Sequence, residues 1–147
     1  MATGSLYGNF LLKGYDSSTK IDLSADTIKA MLVTSSYTPD IDAHDFINDA
    51  SANEASGTGY TAGGATLANK TLAYVGASNL VKFDADDASW TISSALSARY
   101  CILYKDTGNA ATSPVIGYID FGSTFSLSSG TLTVTFNASG IATLTVA

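Results

Sequence analysis

Residues 98–122 constrain the fold more than any other stretch. They read Ala-Arg-Tyr-Cys-Ile-Leu-Tyr-Lys, then Asp-Thr-Gly-Asn-Ala-Ala-Thr-Ser, then Pro-Val-Ile-Gly-Tyr-Ile-Asp-Phe-Gly. Two β-branched and aromatic runs flank a linker of turn formers, the signature of antiparallel strands joined by a longer loop. Strand alternation puts Tyr100, Ile102 and Tyr104 on one face, and Cys101 and Leu103 on the other. Both faces are apolar, which predicts a central strand covered on both sides. In the second run, alternation groups Val115, Gly117, Ile119 and Phe121 against Ile116, Tyr118 and Asp120. Pro114 suits the first position of that strand, where a missing N–H costs least.

Other strands are predicted around this pair. Residues 27–34 alternate Ile28, Ala30 and Leu32 with Lys29, Met31 and Val33. Residues 69–75, 80–83 and 89–92 are short strand candidates, with Trp90 expected to bury its ring. The chain closes with 131–136, where Leu132, Val134 and Phe136 alternate with threonines. A turn at 137–140 and a last strand at 141–146 complete a predicted hairpin. About eight short strands separated by turn signals indicate an all-β fold, a β-sandwich of jelly-roll or immunoglobulin-like topology. No composition shift divides the chain, so its 147 residues are expected to form a single β-sandwich domain. Tyr100, Ile102, Leu103, Ile116, Ile119, Leu132, Val134 and Phe136 are its expected core.

Two segments stand outside that pattern. Leu6, Tyr7, Phe10 and Leu11 recur at helical spacing and predict a short amphipathic helix over 5–13, ended by Gly14. Residues 1–14 would then form a helical arm that plugs one end of the sandwich or docks on a partner. Residues 51–64 are a long run of Ser, Ala, Gly, Thr and Asn, which in a compact domain is mobile or pinned by a partner. Residues 41–50 carry the sole histidine, His44, and have the makings of one or two helical turns.

Reactive chemistry is thin. His44 lies between Asp42 and Asp45, and no Gly-x-Ser-x-Gly nucleophile motif accompanies it. Zinc needs about four ligands, and the chain has one His and one Cys, far apart. Asp84, Asp86 and Asp87 open like a calcium loop, but Ala95 stands where the bidentate glutamate belongs. No catalytic residue, cofactor or metal is therefore expected. Cys101 cannot form an intrachain disulfide and reads as a small buried hydrophobe. Net charge is −6 with seven scattered basic residues, which argues against nucleic acid and anionic membranes as partners. The first residues lack a signal peptide's charged and apolar regions, so synthesis in a cytoplasm without Sec export is expected.

Several segments, in order, resemble small virion proteins of tailed bacteriophages. They are residues 6–12, Asp26-Thr27-Ile28-Lys29-Ala30-Met31-Leu32-Val33, Ser36-Tyr37-Thr38-Pro39-Asp40 and His44-Asp45-Phe46. The likeness resumes at Tyr104-Lys105-Asp106-Thr107-Gly108, 111–116, Tyr118-Ile119-Asp120 and 131–136. The resemblance implies a β-sandwich virion component, a head decoration (cement) protein or a tail- or fibre-associated one, with no catalytic residues. On the cement reading the partner is the major capsid protein, bound on the outer surface of its shell. Trimers or dimers are then expected, in keeping with the symmetry of such assemblies. Leu6, Tyr7, Phe10, Leu11 and, at the end of the long loop, Tyr60 are the expected partner contacts. On the tail reading the chain is a component that could bind host glycans.

Overall fold

The computed structural model describes residues 3–16 and 19–145. Among them ten strands pair antiparallel: β1 (Thr3–Leu6), β2 (Ile28–Val33), β3 (Ala65–Thr66), β4 (Thr71–Val75), β5 (Leu80–Asp84), β6 (Ala88–Ile92), β7 (Leu96–Lys105), β8 (Val115–Leu127), β9 (Gly130–Val134) and β10 (Ala142–Thr145). Two short helices, α1 (Gly8–Tyr15) and α2 (Asn48–Ser51), accompany them. The strands form sheets of order β1-β8-β7-β2-β3, β10-β5-β4 and β6-β9. The fold is all-β and sandwich-like, as the alternation predicts.

The large sheet is organised by β7, which is apolar on both faces. Cys101 and Leu103 join Ile28, Ala30 and Leu32 of β2 against Phe83, Trp90, Ile92, Val134 and Phe136 of the smaller sheets and the residues after β9. Tyr100, Ile102 and Tyr104 join Met31 and Val33 on the opposite face, under Tyr7, Tyr37, Ile47 and Ala50. Cys101 is fully buried, and burial pushes its thiol up to about 12. Ile119 and Leu132, expected in the core, are only half-buried at its margin.

Simple alternation fails in β8. A register shift lies between Leu103 and Tyr104, opposite Ile116. The extra residue moves Val115 to the tyrosine face and Ile116 to the other, reversing the predicted grouping of these two. A wider irregularity separates the pairs Ala98↔Phe125 and Tyr100↔Asp120. Arg99 sits in that gap and forks onto Asp120, Nε to Oδ1 and Nη2 to Oδ2, both at 3.1 Å. The predicted C-terminal hairpin is also absent: β9 pairs with β6, and β10 pairs with β5. The intervening chain is held apart by Phe136 N–H donating to Asp87 Oδ1 at 2.9 Å and Ile141 N–H donating to the Phe83 carbonyl at 2.8 Å.

The N-terminal segment differs most from expectation. Residues 3–6 are a sheet strand, paired with β8 in the register Gly4↔Ile119. The helix begins two residues later than Leu6 and runs through Gly14 to Tyr15. Hydrophobic spacing of 6, 7, 10 and 11 is shared by a helix and by a strand that turns into one. The hydrogen bonds decide between them: Tyr7 N–H donates to Ile116 O and Gly8 N–H to Ile41 O.

Two aspartates tie stability to acid. Asp106 and Asp120 are held below the ordinary aspartate value of about 4, chiefly by hydrogen bonds from Lys29 and Arg99. A lowered folded-state pKa means that the unfolded chain takes up protons first. The two groups therefore add stability above about pH 4 and lose it as pH falls through their folded-state values. Thermal melts across the acid range are expected to show a shallower fall in Tm for Asp106→Asn and Asp120→Asn than for the parent chain. An unchanged slope in both variants would count against this linkage.

Candidate functional site

The three-stranded sheet has one apolar face. Register places Leu72, Phe83 and Ala142 in one row across β4, β5 and β10, and Tyr74, Val81 and Leu144 in the next. Helix α1 lies along part of this face. Leu6, at the end of β1, and Phe10 and Leu11 of α1 line a groove of about 210 Å³ with Leu72, Val81 and Leu144. Phe83 closes its floor and is buried, while Leu11, Leu72 and Leu144 stay 44–47% exposed. Isolated exposed leucines are ordinary; a contiguous set that rims one groove marks an interaction surface.

At Leu6, Ala142 and Thr143 the groove opens into a larger cleft of about 610 Å³. This cleft lies between the β1–β8 edge of the large sheet and residues 135–143. Thr135, Asn137 and Thr143 supply its polar side chains, while Ser5 and Tyr118 border it by their backbone. Among the described residues no ionisable side chain lines either depression, since the Tyr118 ring packs with Tyr7 and Tyr100 on the opposite face of the sheet. The lining offers apolar burial and neutral hydrogen bonding. It presents no acid–base pair.

Three of the five expected contact residues, Leu6, Phe10 and Leu11, meet in this groove. The other two do not. Tyr7 is fully buried on the opposite side of the large sheet. Its hydroxyl is 2.7 Å from Tyr37 Oη, which is 2.8 Å from His44 Nδ1. Asp40 N–H also donates to Nδ1, so that nitrogen is the acceptor, and the order runs from Tyr7 through Tyr37 to His44. Burial raises the pKa of both tyrosines. His44 thus completes a structural chain of hydrogen bonds inward from the surface.

Tyr60 is taken up in the same way. Its hydroxyl accepts from Leu32 N–H at 3.0 Å and donates to Glu54 Oε1 at 2.8 Å. Glu54 Oε1 also accepts from Gly63 N–H, and Tyr104 Oη donates to the Gly63 carbonyl. Ser93 N–H donates to the Thr58 carbonyl. The loop 51–64 is therefore fastened by its own sheets, where the sequence suggests mobility or a partner. Among the described residues no three His, Cys, Asp or Glu side chains gather as a metal site. Asp84 pairs with Lys82, Asp86 accepts from Asn69, and Asp87 from Phe136 N–H.

Matched against protein-family models, curated proteins and solved structures, the chain finds no counterpart. Sequence reasoning misses the strand residues of the groove, Leu72, Val81 and Leu144 among them. Their β-strand alternation is visible in the sequence, but their convergence with α1 depends on the pairing of β10 with β5.

Proposed function

We propose that the chain is a structural component of a tailed-phage particle, a decoration (cement) protein that binds the outer surface of the major capsid protein shell. The observation that carries this reading is the leucine-rimmed groove, whose lining suits docking and offers no acid–base pair. The segmental resemblance to phage virion proteins points the same way. Cementing works by binding the assembled shell alone, which stabilises that state by mass action. The contacts are Leu6, Phe10 and Leu11 together with Leu72 and Leu144. Tyr7 and Tyr60 drop out because the fold uses them.

The test is binding to undecorated capsids. Leu11→Asp combined with Leu72→Asp alters two exposed positions. Each buried leucine contributes about 1.5–3 kcal/mol, so the double variant is expected to bind at least about tenfold more weakly. Its circular dichroism should be unchanged. Equal capsid occupancy by variant and parent would reject the groove as the contact.

One observation favours a second reading. The hydroxyl- and amide-lined cleft beside the groove suits a sugar, which fits a tail or fibre component that binds host glycans. Copy number separates the two: hundreds per particle for a head protein, a few to a few tens for a tail protein.

A further inference from the structure

β4 is the outer strand of the β10-β5-β4 sheet. Residues Thr71 to Tyr74 are all exposed and Val75 is half-buried. An outer strand presents a row of backbone N–H and C=O groups without a sheet partner, and proteins usually blunt it with charge, proline or a bulge. β4 has none of these. Its sequence is Thr-Leu-Ala-Tyr-Val, and its register with β5 is unbroken from Thr71 to Val75. Tyr74 is 60% exposed, with its hydroxyl donating to Asn79 Oδ1.

We propose that two copies of this chain join edge to edge through β4, antiparallel about a two-fold axis at Ala73. The product is a continuous six-stranded sheet, β10-β5-β4 followed by β4-β5-β10 of the second copy. Charge leaves this edge open to a second copy. Each chain carries −6, which opposes association of two copies in general, and contact through an uncharged strand adds no local like-charge pair to that repulsion. β4 and β10 carry no charge, and on β5 Lys82 is neutralised by Asp84 at 2.9 Å.

The strand is also complementary to itself in one register. About Ala73, Leu72 lies opposite Tyr74 of the second copy, and the same pair forms again by symmetry. Aromatic and aliphatic side chains at such directly opposed positions attract. Lys70, the nearest charge along the strand, then faces Gly76. A two-residue slip either way puts Tyr74 opposite Lys70 or Leu72 opposite Gly76. In the favoured register the row Leu144-Val81-Tyr74 continues into Leu72-Phe83-Ala142 of the second copy, so the apolar face of both sheets becomes one surface.

This inference does not rest on the phage reading and is decided in solution, without capsids. Sedimentation equilibrium of the full chain at micromolar concentration is expected to give twice its 15.1 kDa mass. Leu72→Lys with Tyr74→Lys, at exposed positions, should return it to one chain with unchanged circular dichroism. Ala73→Cys should cross-link to itself on mild oxidation, since Cys101 is buried and out of reach. Thr71→Cys and Val75→Cys should cross-link when mixed, and neither by itself. A single-chain mass at every concentration, a dimer that survives the lysine substitutions, or a different cross-linking pattern would each overturn the proposal.

Discussion

Tyr7→Ala is expected to destabilise the protein by about 3–5 kcal/mol, the range for removing a fully buried aromatic side chain. Tyr7 is at the junction of β1 and α1, packed beneath Tyr118 with ring centroids 5.7 Å apart. Tyr7→Phe keeps the ring and loses only the hydroxyl bond to Tyr37, so its cost should be nearer about 1 kcal/mol. Urea midpoints for the two variants measure the difference. A loss below about 1 kcal/mol for Tyr7→Ala would mean that residues 3–15 are a detachable arm after all. Removal of residues 1–13 is expected to cost more still, because it also strips β1 from β8.

Gly64→Ala is expected to cost about 2–5 kcal/mol. Gly64 has φ +82, where a side chain costs roughly 1–2 kcal/mol. A Cβ there would also fall 1.9 Å from the Ala30 carbonyl oxygen, so the backbone of β2 would have to move. Overpacking of this kind adds about 1–3 kcal/mol. Gly63 supplies the control, with φ +84 but 3.4 Å of room to Tyr104 Oη. Gly63→Ala should therefore show the backbone cost without most of the steric cost. Equal losses in the two variants would show that the close approach of residue 64 to β2 contributes nothing.

These glycines mark where sequence reasoning stops. β2 and β7 are legible because their alternation is local: Ile28, Ala30 and Leu32 share a face in the sequence pattern and in the core. The order of residues 51–64 is not legible, because it hangs on Glu54, the one glutamate in the chain, meeting Tyr60 and Gly63. Composition reports only that such a loop is rich in small residues. Half of the groove is equally invisible, since Leu144 reaches Leu72 only through the pairing of β10 with β5, which no local signal specifies. Leu6, Phe10 and Leu11 are recognisable as apolar anchors, but their spacing gives no warning that Tyr7 between them faces inward.

The pairing of β2 with β7 has a consequence for synthesis. Val33 pairs with Tyr100 and Ile28 with Lys105, so β2 leaves the ribosome long before its partner exists. Both its faces are apolar, and the neighbour it meets first, β3, covers only Lys29 and Ala30. At about 5–20 residues per second, the wait for β7 is on the order of several seconds. β1 waits longer, since its partner β8 begins at Val115. The large sheet therefore closes late and almost all at once, around the β7–β8 hairpin, and a nascent chain stalled before Leu96 displays a bare aggregation-prone strand for any holdase to grip.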